Sequence, residues 1–346
     1  MAIEVRAGKC AALGLSAGSM TTTILLLLAG LALLLLGGEL LVRGASRLAE
    51  RFGLSPMLVG LVIVGLGTST PELAASVQAS LAGSPGIAIG NIVGSNLANI
   101  LLILGTAALI APIAVGANAL WRDGMVGVGG VLLLLLAGST TGLSQLAGGA
   151  FLLILAAYLA LAYRQETASA GASAAGQRTA AAEHADPGLH PEGSGTAGIA
   201  VPILLFVVGT AIIVAGGYIL VDAAIDMAAR LGVSDEVIGL TVVAAGTSAP
   251  ELATSAIAAF RKESDIALGN VLGSNIYNIF FIGGVTGLVA PGPIPGGIMT
   301  VDLWVLLAAS IVAIIFAYTG GRLGRREGGL LVVGYVAFLA VTAGLV

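Results

Sequence analysis

Gly67-Thr68-Ser69-Thr70-Pro71-Glu72 (GTSTPE) returns almost unchanged 179 positions later as Gly246-Thr247-Ser248-Ala249-Pro250-Glu251 (GTSAPE). Each copy is followed by a second matching string, GNIVGSNLANI at 90–100 and GNVLGSNIYNI at 269–279. Both acids interrupt apolar stretches, and hydrocarbon does not tolerate an idle carboxylate, so a duplicated one implies a path for cations. Working outward from the motif, residues 54–105 match 233–284 without a gap at about 24 of roughly 52 positions. That period is far longer than the roughly 20–50 residues of stacked soluble repeats.

The composition sets the environment of this repeat. Apolar residues make up 58% of the 346, charged residues 9%, and the mean hydropathy is +1.06. Soluble domains carry about 25% charge, so the balance indicates an all-α polytopic membrane protein whose surroundings are a lipid bilayer. A net charge of -4 offers no basic footprint, which excludes nucleic acid as a partner. Cys10 is the sole cysteine, which rules out disulfides and thiolate metal sites within one chain.

Apolar runs near 22–46, 55–82, 86–112, 124–139, 147–163, 199–228, 234–260, 266–290, 299–318 and 329–346 give about ten transmembrane spans. Residues 164–198, rich in Ala, Ser, Gly and Glu and holding His184 and His190, read as a flexible linker with a solvated loop. The organisation expected is therefore an N-terminal extension over 1–20, a first five-helix repeat over 21–163, the linker over 164–198 and a second five-helix repeat over 199–346. Met20 directly precedes the first strong span, so residues 1–20 are expected to be an overextended start.

Basic residues fix the orientation, because cytoplasmic loops hold the Lys and Arg excess. With the N-terminus outside, the inner side holds Arg43, Arg47, Arg51, Arg122, Arg164, Arg178, Arg261, Lys262, Arg322, Arg325 and Arg326, and the outer side only Arg6, Lys9 and Arg230. The linker is then cytoplasmic. Five spans, an odd number, separate the two motif copies, so the second enters the membrane from the opposite face. Such inverted repeats meet near the midplane, where transporters bind their ions.

The motif itself specifies the ion class. Pro71 and Pro250 break the helix and put the carbonyls around Gly65 and Ala244 at a loosened turn. Thr68, Thr247, Ser69 and Ser248 add hydroxyl oxygens; Glu72 and Glu251 add the charge. Ser95 and Asn99 share a helix face, as do Ser274 and Asn278, with Asn91 and Asn270 one turn further back. Asn96 and Asn275 are expected to hydrogen-bond between helices. Oxygen donors without Cys or His suit hard cations such as Ca2+ or Na+. Two glutamates neutralise one Ca2+ or two Na+, and competition for one set of oxygens is the simplest basis for antiport. Glu39, Asp222 and Asp226, toward span ends, read as interface or gate-region charges, and residues 113–163 and 299–346 as a nearly uncharged scaffold.

The paired GTSTPEL/GTSAPEL and GNxxGSNxxNI strings resemble the alpha repeats of the cation/Ca2+ exchanger superfamily, nearest to the prokaryotic sodium/calcium exchangers. The resemblance implies ten helices in two inverted halves and alternating access by sliding of the first and sixth over a core. It implies a Ca2+ site of Glu72, Glu251, Thr68, Thr247 and the carbonyls of Gly65 and Ala244. Sodium sites would add Ser69, Ser95, Ser248 and Ser274, with Asn99 and Asn278 at the middle. Archaeal relatives can have Asp where this chain has Asn278, so this position cannot titrate here; the lack of that Asp also argues against K+ dependence. The GN helices lack the glutamate of the proton-driven branch, which favours Na+ over H+. The expectation is a secondary antiporter, not an enzyme and without a cofactor, that exports Ca2+ against Na+ across a prokaryotic inner membrane. A Ca2+/H+ exchanger of the same fold and a cation channel are the alternatives.

Overall fold

The computed structural model describes residues 20–52, 56–81, 85–115, 120–183, 197–230 and 248–342. Helix α1 is Met20–Phe52. Helix α2 runs from Pro56–Val59 through a π-helical segment, Gly60–Val64, into Gly65–Thr68. After Ser69 the chain bends by 48° into α3, Thr70–Leu81. Helix α4 joins Pro85–Leu97, a π-helical Ala98–Leu104 and Gly105–Ile110. Strand β1, Ile113–Ala114, leads to α5, made of Leu120–Gly124 and Met125–Ser139. Helices α6 (Gln145–Glu183), α7 (Ala197–Arg230) and α8 (Ala249–Phe260) follow. Helix α9 joins Ser264–Ile276, a π-helical Tyr277–Ile282 and Gly283–Val289. Helix α10 is Ile298–Asp302 continued by Leu303–Gly320, and β2 (Arg322–Leu323) precedes α11, Arg325–Thr342.

Seven described helices are long and apolar enough to cross a bilayer, and the bent pair α2–α3 makes an eighth. Two of the ten expected spans lie partly, by several residues, outside the described ones. Of 234–260 only Ala249–Phe260 is described, with 231–247 outside the described residues. Helix α11 starts with Arg325, Arg326 and Glu327, just ahead of the expected span 329–346, of which 343–346 are outside the described residues. The linker does differ: α6 does not stop near 163 but continues as helix to Glu183. Alanine is the best helix former, and the Ala-rich stretch from 168 onward has no proline to stop it. His184, His190 and the N-terminal extension lie outside the described residues.

Layering follows from burial. Helices α4 and α9 form the centre, with 72% and 78% of their apolar windows buried, whereas α1 and α7 stand at 28% and 22%. Their outer faces, such as Leu25, Leu28, Leu35, Leu204 and Val207, are exposed and suit lipid tails. Helices α1 and α7 pack along each other over most of their length. Glycines permit this: Gly30, Gly37 and Gly44 recur every seventh residue, as do Gly209 and Gly216. A methyl group added to Gly37 would lie 2.7 Å from the Ile213 backbone nitrogen, and one on Gly209 2.5 Å from that of Leu41. In lipid, where burial of apolar groups drives nothing, such backbone approach is the main source of helix association.

The ends of this pair are tied by polar groups. The Thr23 hydroxyl donates to Asp226 at 2.5 Å, and Arg230 pairs with the same carboxylate at 2.8 Å. Glu39 accepts from Arg43 and, at 2.7 Å, from Arg261 just past α8. The charges at span ends are thus ion-paired; the Asp222 side chain is outside the described ones. One buried charge was not anticipated in the apolar 113–163 scaffold. Asp123 is 0% exposed and accepts from Arg122 at 2.6 Å and from the Tyr158 hydroxyl at 2.8 Å, which fastens α5 to α6. Small antiparallel pairings close the ends: Ile113 faces Leu323, and Leu143 bridges Gly292.

Candidate cation-binding site

Proline decides the local geometry of the motif. Pro71 has no N–H to offer the Gly67 carbonyl, so α2 cannot run on into α3 undisturbed. Ser69, at φ -82 and ψ 6, is the hinge. In the second copy Ser248, at φ -89 and ψ 8, holds the same conformation as the N-terminal cap of α8. Both glutamates then fall in the first turn of the following helix, Glu72 on α3 and Glu251 on α8. The first turn of a helix is where backbone N–H groups favour negative charge.

Ten of the twelve predicted ligands are among the described residues; Ala244 and Thr247 fall outside them. All ten are buried, with Glu72 and Glu251 at 1% exposure. The Ser69 hydroxyl donates to Glu251 Oε1 at 3.3 Å, a direct bond between the two motif copies 182 residues apart. The reciprocal bond is not made: Ser248 Oγ has no hydrogen-bond partner among the described residues. Neither glutamate has an ion-pair partner among the described residues.

The companion strings arrive crosswise. The π-helical segment that bears Asn99 packs against α8, which carries Glu251; the one that bears Asn278 packs against α3, which carries Glu72. Ser274 sits beside Gly65, where a methyl group would meet its backbone nitrogen at 3.2 Å. Asn99 Nδ2 donates to Asn275 Oδ1 at 3.0 Å, the bond between helices expected of Asn275; Asn96 Nδ2 instead donates to the Ile92 carbonyl of its own helix at 2.9 Å, and its Oδ1 has no partner among the described residues.

Eleven buried side-chain atoms lack a hydrogen-bond partner among the described residues, and seven belong to predicted ligands. They are Glu72 Oε2, Glu251 Oε2, Asn99 Oδ1, Asn278 Oδ1 and the hydroxyls of Ser95, Ser248 and Ser274. Stranding a buried oxygen costs about 1–3 kcal/mol, more when it is charged, so these seven atoms are candidates for ligation. The donor set is carboxylate, amide and hydroxyl oxygen, which fits Ca2+ or Na+.

One predicted ligand differs from its expected state. The break does not release the Gly65 carbonyl, which accepts the Ser69 N–H at 3.1 Å and lies 3.4 Å from the Thr68 hydroxyl oxygen. Helical hydrogen bonding persists up to Ser69, and the missing donor affects Gly67 instead. Other polar groups were underrated in the sequence. Asn91 Nδ2 donates to Ser76 at 3.0 Å and to the Glu72 carbonyl at 3.3 Å. Asn270 Nδ2 does the same to Ser255 at 2.9 Å and to the Glu251 carbonyl at 3.4 Å. The signal was available: a serine follows each glutamate by four residues, on one helix face.

Known proteins resemble this chain over nearly its whole length. The family profile described as sodium/calcium exchanger protein matches residues 22–164 and again 201–344. The sodium/calcium exchanger MaX1 of Methanosarcina acetivorans is 37% identical, over 93% of this chain and 99% of its own length. The putative antiporter CaxA of Alkalimonas amylolytica is 34% identical over 92% and 98%. The inner membrane protein YrbG of Escherichia coli K12 is 36% identical over 91% and 95%. Among solved structures, the sodium-calcium exchanger NCX_Mj soaked with 10 mM Na+ and 10 mM Sr2+ superposes with a TM-score of 0.78. Its sequence is 31% identical, covering 94% of this chain and 99% of that one.

Proposed function

Since the chain belongs to the sodium/calcium exchanger family and is an integral membrane protein, we propose that it is a secondary antiporter moving Na+ inward and Ca2+ outward by alternating access. The observation that carries this reading is the pair of buried glutamates, joined across the two motif copies by the 3.3 Å bond from Ser69 to Glu251 and paired with no base among the described residues. Either one Ca2+ or two Na+ neutralises the pair, so each ion displaces the other. The ligands proposed are Glu72, Glu251, Thr68, Thr247 and the Gly65 and Ala244 carbonyls for Ca2+. Ser69, Ser95, Ser248, Ser274, Asn99 and Asn278 are proposed to serve Na+. The Gly65 carbonyl keeps this role only through the lone pair that its helical bond leaves.

The architecture proposed is ten transmembrane helices in two inverted halves. Seven long helices, the bent α2–α3 pair, the span that includes α8, and α11 supply the count. The repeated π-helical segments at Ala98–Leu104 and Tyr277–Ile282 support the equivalence of the halves. So does the second pairing, Leu143 with Gly292, since Gly292 lies 179 residues after Ile113. Helices α1 and α7, joined by their glycine seam and exposed to lipid, are the candidates to move as one body. The membrane is proposed to be a prokaryotic inner membrane, with the N-terminus outside and 164–198 in the cytoplasm.

Radioactive Ca2+ uptake into proteoliposomes tests this. Vesicles preloaded with Na+ should accumulate Ca2+ and those preloaded with K+ should not. Uptake driven by a pH step without Na+ would replace this reading with a Ca2+/H+ exchanger, and flux without countertransport would indicate a channel.

A further inference from the structure

We propose that Asn270 is a positioning residue for the cation site, one that takes the hydrogen of the Thr68 hydroxyl so that the oxygen's lone pairs face the ion. The proposal rests on the reading of Thr68, Glu72 and Glu251 as cation ligands and adds a residue that acts through one of them.

The geometry sets up a competition for a single hydrogen. Thr68 Oγ1 lies 3.2 Å from the Val64 carbonyl, 3.4 Å from the Gly65 carbonyl and 3.2 Å from Asn270 Oδ1. A hydroxyl has one hydrogen and two lone pairs. To ligate a cation it must turn the lone pairs inward and donate away from the ion. Donation to Gly65 would spend the remaining lone pair of another proposed ligand. Donation to Val64, the ordinary bond within a helix, would leave Asn270 Oδ1 facing a hydroxyl oxygen with no hydrogen between them. Thr68 is the hydrogen-bond donor to that amide oxygen among the described residues, so either alternative strands it. Thr68 and Asn270 are both 0% exposed, out of contact with bulk solvent.

The amide cannot avoid the competition by turning over. Its nitrogen donates to Ser255 Oγ at 2.9 Å and to the Glu251 carbonyl at 3.4 Å. Flipped, it would press its oxygen against that carbonyl, which has no hydrogen to give. Asn270 is therefore held in one orientation by the turn of Glu251 and presents its oxygen to Thr68, 202 residues away in the other half. One side chain thus sets the hydroxyl of the first motif by reference to the glutamate of the second.

A double-mutant cycle tests this. Thr68→Val, Asn270→Leu and the double variant are purified in detergent and in proteoliposomes. The readouts are the KM for Ca2+ in Na+-driven uptake and the Ca2+ concentration that half-stabilises the protein against heat. Each single variant should raise both by about tenfold, within the range of coupled neighbours. The double should be no worse than the poorer single, because Asn270 has nothing to orient once the hydroxyl is gone. Multiplying effects would show that Asn270 only supports the fold and would overturn the proposal, as would an unchanged KM in Asn270→Leu. If Asn270→Leu does not fold, Asn270→Ser, too short to reach Thr68, takes its place in the cycle. Failure of the underlying site reading is separate: Glu72→Gln and Glu251→Gln would then keep both transport and Ca2+-dependent stabilisation.

Discussion

A carboxylate at 1% exposure, without an ion-pair partner among the described residues, is tolerable only if a cation or a proton visits it. Glu72→Gln and Glu251→Gln should therefore each weaken apparent Ca2+ affinity by roughly tenfold to a hundredfold, the loss of one charge-assisted contact of ~1.5–3 kcal/mol. Uptake titrated against Ca2+ checks this; an unchanged half-saturation would remove the residue from the site. Asn278→Asp puts a titratable group where an unpartnered amide oxygen now sits. Protonated at low pH, the new residue resembles the amide; ionised at higher pH, it adds a third negative charge. Transport should consequently become more pH-dependent than in the parent, measured as uptake between about pH 5 and 8. The glutamates were legible because their cost in hydrocarbon can be read from composition alone. The state of Gly65 was not, since proline's position names the carbonyl that loses its donor, while the number of turns that stay helical depends on packing. Asn270 was visible as a repeated residue, but its partner Thr68 belongs to the other half and no local pattern connects them.

Helices α1 and α7 make a specific demand on side-chain size. A methyl at Gly37 would approach the Ile213 backbone to 2.7 Å, whereas one at Gly129 on α5 would meet nothing within 4 Å. Gly37→Ala should destabilise the purified protein by about 1–3 kcal/mol through overpacking. Gly129→Ala should be neutral or stabilising by up to about 1 kcal/mol, as alanine is the better helix former. Thermal unfolding in detergent separates them, and equal melting temperatures would mean that the seam is not close-packed. The sevenfold glycine spacing was present in the sequence, but only pairing in space shows that Gly37 and Gly209 meet opposite helices. The π-helical segments were illegible, because a shift from fourth- to fifth-neighbour bonding has no composition of its own. The helical continuation of α6 is legible in its alanines, although hydropathy falls after Arg164.

For the molecule as a whole, the charge bias and the odd number of spans between motif copies predict which face each loop occupies. With Cys10→Ser as background, Thr141→Cys in the α5–α6 turn should react with an impermeant thiol reagent from outside intact cells. Ser173→Cys should react only after permeabilisation. The opposite pattern would overturn the proposed orientation. The fold class and the membrane setting were readable because composition and a 179-residue repeat are global properties that small boundary errors leave intact. What composition cannot supply is the distance between two halves of a chain, and on that distance the account depends. Anomalous diffraction from crystals soaked in Sr2+ measures it most directly. The prediction is a metal peak between the carboxyl groups of Glu72 and Glu251, within bonding distance of both. A fully occupied peak elsewhere, with the two carboxyls apart, would contradict it.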